Sequence, residues 1–294
     1  MTISGFTYVR NGLELGYPFI ESIRSILPIC AEVVVAVGDS HDGTREAVQA
    51  IDPVKIRIVD TVWDMNLRKG GQVFAQQANA ALDAITGDWA FHIQADEVIH
   101  ENDLPKIEAA IRENDGNPDV DGFIQPFLHF WGSYKYIRTS RRVHRHEIRV
   151  FRNDKLVRSY KDSQGFRIYN SQEDYTSGAK GKKLKVLKID APIYHYNAVR
   201  PPQQMLKKIN NFVIHWNDTN TDKAFDYQKV DKVEPFTGEH PALMKEWIEA
   251  SDWDFQFDPS KAYWRKKKDK YLQPIEDFLG IRFGEYKNYV LLKK

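Results

Sequence analysis

Six residues in a row, Glu32 to Val37 (EVVVAV), carry five apolar side chains, four of them valine. A strand that is apolar on both faces must be covered on both, which points to the interior of a parallel sheet rather than to a half-solvated antiparallel one. Its neighbours agree. Ile3 to Val9 is a short apolar strand, and Phe19, Ile23, Ile26 and Leu27 follow at helical spacing. Asp42-Gly43-Thr44 reads as a turn and helix start, continued by Glu46, Ala47, Val48 and Ile51. Ile56, Ile58 and Val59 mark a third strand. Phe74, Ala78, Leu82 and Ile85 line one face of a helix whose other face carries Gln72, Gln76, Asn79 and Asp83. Trp89, Phe91 and Ile93 then alternate with Ala90, His92 and Gln94, as in a strand. Strand–helix–strand units repeated in this way imply a parallel sheet flanked by helices.

The rhythm changes after residue 125. Gly122 to Gly132 (GFIQPFLHFWG) and Glu147 to Arg152 read as strands, Ser177 to Lys188 as a basic loop, and Ala191 to Tyr196 as a strand. A helix begins near Pro202 with Met205, Ile209, Phe212 and Val213, a second occupies the region from Lys261 to Leu279, and Tyr286 to Leu292 suggests a last strand. The expected organisation is an α/β half over 1–125, a second half of the same domain over 126–200, and a mainly helical extension over 201–294. Lys+Arg is 42 and Asp+Glu 41, a balance that argues against a nucleic-acid binder, which usually carries a basic excess. The single cysteine, Cys30, excludes an internal disulfide framework and a cysteine zinc cage. The start, MTISGFTYVRNG, reads as a strand rather than a secretory leader, and no apolar run approaches the ~18 residues of a membrane span. A cytoplasmic protein is expected. Lys266-Lys267-Lys268 beside Tyr263 and Trp264 leaves peripheral membrane contact open, with a solvated charged face as the ordinary alternative.

The chemistry concentrates at strand ends. The strand in Gly87 to Glu97 (GDWAFHIQADE) ends in two carboxylates, and ligands of open α/β sheets bind outside the carboxyl ends of strands. Asp96 there suits Mg²⁺ or Mn²⁺, which take hard oxygen ligands and complete their shells with phosphate and water. Adjacent strand residues point apart, so Glu97 shares a metal with Asp96 only if the strand has already ended. The second strand also ends in acids (Gly38-Asp39-Ser40-His41-Asp42-Gly43-Thr44); Asp39 is placed to accept from a nucleobase or ribose, and Asp42 to cap the helix. Arg68 and Lys69, before Gly70-Gly71, are cations beside a glycine pair at a helix start, a setting for a diphosphate. Each of these, taken alone, is also an ordinary turn, cap or basic loop.

In this order the pieces resemble the nucleotide-sugar glycosyltransferases of the family-two type, which have the GT-A fold. The matching elements are Thr7-Tyr8-Val9-Arg10-Asn11, Gly38 to Thr44, Asn79, Gly87-Asp88 and Gln94-Ala95-Asp96. The resemblance covers about the first 100 residues well and implies a GT-A-like, Rossmann-type, mostly parallel sheet flanked by helices, with a mixed acceptor-side region. It implies a nucleotide-sugar donor, a glycan or other hydroxyl acceptor, and Mn²⁺ or Mg²⁺. Thr7, Tyr8, Asn11, Asp39, Arg68, Lys69, Asn79 and Gln94 would hold the nucleotide, and Asp96 the metal. The chain departs from the family in having Gln94 where the first acid of Asp-x-Asp stands; glutamine can hydrogen-bond a ribose but brings no charge. The family often recruits a later histidine to the metal or diphosphate, which implies His195 in Ile193-Tyr194-His195-Tyr196; a packed histidine is the alternative. Arg200 lies just beyond.

Inverting transfer needs a carboxylate to take the acceptor's proton. Asp162, in a polar turn after a strand, is the expected base, ahead of Glu147, which follows the basic run Arg141, Arg142 and Arg145, and of Glu173-Asp174. Trp131, Tyr134 and Tyr136 are candidates to stack on an acceptor sugar or to pack at a rim. Two other readings stay open: a sugar-nucleotide nucleotidyltransferase, although the first strand lacks a glycine-rich phosphate loop, and a non-catalytic nucleotide-sugar or glycan binding module.

Overall fold

A computed structural model describes residues 1–163, 165–214 and 224–293, with the side chains of residues 68 and 69 outside the description. The first half alternates strands β1 (Ile3–Val9), β2 (Glu32–Val37), β3 (Ile56–Asp60) and β4 (Trp89–His92) with helices α1 (Phe19–Ile26), α2 (Thr44–Gln49) and α3 (Gln72–Ala84). These strands are parallel in the order β3-β2-β1-β4. The double burial expected of EVVVAV is borne out. Val33, Val35 and Val37 join the core formed with Phe19, Ile23 and Ile26 of α1 and Val48 of α2. Val34 and Ala36 join a second core with Ala81 and Leu82 of α3. One strand thus feeds two hydrophobic layers because its side chains alternate.

The strand β5 (Glu97–Ile99) and the helix α4 (Leu104–Asn114) come next. Leu104, Ile107 and Ile111 bury the inner stripe of α4, at the 3.6-residue period of an amphipathic helix. The sheet then turns mixed. β6 (Gly122–Trp131), β7 (Ser133–Arg138) and β8 (His146–Arg152) are antiparallel neighbours, and β8 docks antiparallel on β4. The small strands β9 (Val157–Ser159), β10 (Phe166–Ile168) and β11 (Lys182–Lys183) form a separate three-stranded sheet, with α5 (Gln172–Thr176) between the last two. The basic loop expected over Ser177 to Lys188 therefore carries strand β11 and also β12 (Lys185–Lys188), which returns to β6 of the main sheet. β13 (Ile193–Ala198) lies parallel to β6 and antiparallel to β5.

The C-terminal part is helical over α6 (Pro202–Val213), α7 (Lys245–Glu249) and α8 (Lys267–Leu279). It also returns to the sheet: β14 (Val233–Pro235) pairs with β7, and β15 (Val290–Leu291) with β12. α8 is fastened by charge. Asp269, Gln273 and Glu276, each 1% exposed, face Arg141 and Arg142. Arg141 holds Glu276 through two parallel bonds of 2.9 Å, the fork geometry that suits a guanidinium. Among the described residues no helix is long and apolar enough to cross a membrane.

Candidate active site

The chain steps outward from β1 to β2 and β3, then returns to the other side of β1 with β4. That reversal is a topological switch point, and the carboxyl ends of the two strands beside it leave a crevice. In this protein the crevice opens into a cavity of about 830 Å³, within the size range of small-molecule sites. Arg10 and Asn11 line it from the end of β1, and Gln94 and Asp96 from the segment after β4.

The β1 end is braced by β2. Asn11 has φ 49°, a left-handed conformation that asparagine tolerates better than most residues. Its backbone N–H donates to Ser40 Oγ at 3.0 Å and its side-chain oxygen accepts from the His41 backbone N–H. Asp42 accepts from Thr44 N–H, Thr44 Oγ1–H and Glu14 N–H. It is an anchor between two loops, whereas the residue capping α2 is Gly43. Asp39 is exposed and grips Arg10, Nε to Oδ1 at 2.9 Å. Arg10, not Asp39, lines the cavity. The short acid stays outside the lining, and the long guanidinium it holds reaches inward. Gly38 makes room for an aromatic wall, since a Cβ there would sit 2.6 Å from Trp63 Nε1. Trp63 packs edge-on against Phe74 at 5.5 Å, and Tyr8 lies 6.4 Å from each. All three line the cavity. Burial, then the nearby acids Asp96 and Asp162, push the Tyr8 hydroxyl's pKa up.

Besides Asp39, two more of the expected nucleotide residues lie off the cavity. Thr7 is buried and does not line the cavity; strand alternation turns it away from the face of Tyr8. Asn79 is spent inside the fold. Its amide donates to the Ser159 carbonyl at 3.0 Å and the Tyr175 hydroxyl at 2.8 Å, and its oxygen accepts from Ser159 N–H. It ties α3 to β9 and α5. The Arg68 and Lys69 side chains lie outside the described residues.

Asp96 is buried with two cationic or basic neighbours. Its Oδ2 accepts from Lys208 Nζ at 2.9 Å, and its Oδ1 lies 3.7 Å from His195 Nε2. The three N–H bonds of Lys208 are all used, on Asp96, the Asn197 carbonyl and the Asn197 side-chain oxygen. Its Nζ also sits over the Tyr17 ring, 4.7 Å from the centroid. Burial opposes ionisation of Asp96, but Lys208, His195 and Arg200 hold it far below the usual carboxylate range. Burial draws the Lys208 pKa down to about 8 against the pull of Asp96. The two directions are consistent with an ion pair at neutral pH. Burial also lowers His195 to about 4 and His129 to about 3, so both imidazoles are neutral there.

Glu97 does not share this site. It opens β5 and is fully buried in a fork with Arg149, at 2.8 and 2.6 Å. Arg200 is also internal: it donates to the Leu15 carbonyl and bears on Asp96 through its charge.

Across the cavity stand Asp162 and Glu147. Asp162 is flanked by Lys161 and Ser163 at φ 56° and 62°, left-handed conformations that cost energy in non-glycine residues and cluster at functional sites. Burial raises Glu147 to about 8, Arg149 opposing and Glu97 and Asp162 reinforcing, so Glu147 is mainly protonated at neutral pH. Glu173 and Asp174 begin α5 and do not line the cavity, nor do Trp131, Tyr134 and Tyr136. Those aromatics are packing residues: Trp131 Nε1 donates to the Tyr227 carbonyl, Tyr134 is buried beside Tyr196, and Tyr136 donates to Gln256. The last wall comes from the C-terminal segment, including Arg282, Glu285, Tyr286 and Asn288, with Arg145 forked onto Glu285 at 2.9 and 2.8 Å.

Lys208 is the residue that motif reading missed, although a signal was present. It falls on the apolar stripe Met205, Ile209 and Phe212, where a lysine is out of place unless it meets an acid.

No protein-family model matches the chain, and no curated protein matches it. Among solved structures it is similar to S. aureus TarS residues 1–349, at 14% identity over 76% of this chain and 67% of that one, with TM-score 0.36; TarS is also known with UDP-GlcNAc. It is similar too to glucosyl-3-phosphoglycerate synthase from Mycobacterium tuberculosis in complex with Mn²⁺, UDP and glucosyl-3-phosphoglycerate, at 19% identity over 43% of this chain and 44% of that one, with TM-score 0.31. The chain spans less than half of the mycobacterial protein. Likeness at this distance transfers no residue's role.

Proposed function

We propose that the protein is a glycosyltransferase that moves a sugar from a nucleoside diphosphate to an acceptor hydroxyl with inversion. The observation that carries this reading is the placement of Asp96. It opens from the end of β4 at the switch point into a cavity shared with His195, and Asp162 stands on the same cavity's wall. Residues 1–125 would receive the donor and 126–200 the acceptor, with 201–294 supplying Lys208 and the last wall.

The donor set suits a divalent cation. A carboxylate oxygen and an imidazole nitrogen 3.7 Å apart are spaced as two ligands of one first-row ion. Among the described residues no group of three histidine, cysteine or acid side chains could hold a metal, so phosphate and water would complete the shell, the usual way Mg²⁺ is held beside a nucleotide. Mn²⁺ or Mg²⁺ at Asp96 and His195 would neutralise charge on the departing diphosphate. The rest is done by this chain. Tyr8, Trp63 and Phe74 offer aromatic faces to the base. Asn11 and Gln94 bond the ribose, and Arg10, oriented by Asp39, meets phosphate. Lys208 keeps Asp96 ionised and adds fixed positive charge. The acceptor oxygen attacks the anomeric carbon as the bond to the diphosphate breaks, and Asp162 takes the hydroxyl proton. Glu147, mainly protonated at neutral pH, does not compete for that role.

A panel of nucleoside diphosphate sugars with Mn²⁺, read by nucleoside diphosphate release, tests this. Release is expected with at least one donor, falling by about 10²–10⁴-fold in Asp162→Asn while donor binding persists. Pyrophosphate release from a nucleoside triphosphate would instead favour nucleotidyl transfer. Donor binding without turnover across acceptors would favour a binding module.

A further inference from the structure

β6 and β13 run parallel, and their register sets His195 opposite His129. Opposed residues on neighbouring strands share a face. The two rings meet at 75° with centroids 5.1 Å apart, and their Nδ1 atoms are separated by 2.9 Å, a hydrogen-bond distance. One nitrogen must donate and the other accept. The far side of His129 decides which. Its Nε2 lies 2.8 Å from the His144 carbonyl oxygen, and a carbonyl only accepts. The proton of His129 is therefore on Nε2, and its Nδ1 presents a lone pair. His195 then donates from Nδ1, which leaves its Nε2 bare. That bare nitrogen is the atom 3.7 Å from Asp96 Oδ1. A doubly protonated His129 would reverse the bond, but it would be an imidazolium with no carboxylate in ion-pair contact among the described residues. It would also lie against Phe127, over whose ring the Arg149 guanidinium already sits, 5.2 Å from the centroid.

The geometry points to His129 as a positioning residue: by accepting from His195 Nδ1–H it locks the tautomer whose Nε2 lone pair faces Asp96, ready to ligate a cation held in common with that carboxylate. A histidine that binds metal through one nitrogen needs an acceptor on the other to fix its ring and tautomer. Here the acceptor is a second histidine, whose own proton is fixed by a backbone carbonyl. The ligating part of this inference rests on the metal reading of Asp96 and His195; the tautomer part does not.

Two variants separate the lock from mere packing. His129→Leu removes the acceptor. His129→Gln keeps it, since the amide oxygen can accept from His195 while the amide nitrogen donates to the His144 carbonyl. Long-range ¹⁵N–¹H spectra of the metal-free full chain read the His195 tautomer, and Mn²⁺ titration followed by paramagnetic resonance reads affinity. Nδ1–H on His195 is expected in the wild type and in His129→Gln, and an increased share of Nε2–H in His129→Leu. Mn²⁺ affinity should fall about 10–100-fold in His129→Leu and change less than about threefold in His129→Gln. An Nε2–H His195 in the wild type, or equal Mn²⁺ affinity in the wild type and His129→Leu, would overturn the proposal. A wild type that shows the Nδ1–H tautomer yet binds no Mn²⁺ would support the lock and sink the metal assignment, so the two failures are distinguishable. If His129→Leu does not fold, the wild-type tautomer and the His129→Gln affinity still decide.

Discussion

The two halves of the main sheet build the cavity by different means. In the parallel half, Arg10, Asn11, Gln94 and Asp96 reach it because they follow strands whose carboxyl ends lie at one edge. Chain direction does the placing, and a short local motif suffices. In the mixed half no single edge collects the ends. Glu147 sits within β8, Asp162 in a turn after β9, His195 within β13, and Lys208 on α6. Two of them arrive through a long-range partner: His195 by register with His129, Lys208 by its bond to Asp96 112 positions away. Function on the first side depends on strand polarity, and on the second on individual buried contacts.

The sharpest way to break this contrast is Lys208→Met. If the second half works through single contacts, loss of one ammonium leaves Asp96 buried without its partner, at a cost of about 3–5 kcal/mol. Urea unfolding should show this, and Asp96→Asn combined with Lys208→Met should recover a large part of the loss. Equal stability of Lys208→Met and the wild type would mean that the pair is well solvated.

A second test uses Glu147. Its folded pKa, about 8, lies above the unfolded value of a glutamate. The folded state therefore binds the extra proton. The stabilisation is complete below about pH 4.3 and is lost as pH rises through the folded value near 8. Glu147→Gln cannot lose that proton. It should flatten the fall in stability between pH 5 and pH 8.5 by on the order of 2 kcal/mol, discounted for a half-buried group. Parallel melting curves of the two proteins across that range would argue for an ionised Glu147 at neutral pH and reopen the choice of base.

The smallest effect is expected from Asn79→Ala, on the helix of the parallel half whose asparagine turns to Ser159 and Tyr175. Losing the Ser159 and Tyr175 bonds should cost about 1–2 kcal/mol of stability and leave the donor KM within about twofold. A tenfold rise in KM with unchanged stability would return Asn79 to the nucleotide.

Asn79 and Lys208 also mark how far the sequence could be read. Apolar periodicity was enough for the α/β layering of the first half, because burying a strand on both faces demands the continuous run at Glu32 to Val37 and the stripe at Phe74 to Ile85. The acid at the end of the fourth strand was legible for the same local reason. The sequence could not say whether Asn79 looked at a ligand or at Ser159, that Asp39 would reach the cavity only through Arg10, or that Trp131, Tyr134 and Tyr136 were packing residues. Nor could it foresee Lys208 on Asp96 or His129 behind His195. Secondary structure and strand polarity follow from neighbours along the chain. Partners 66 and 112 positions apart meet only after crossovers and antiparallel returns have set a register. Hydrogen bonds and ion pairs then act over a few ångströms and bear no relation to separation in sequence.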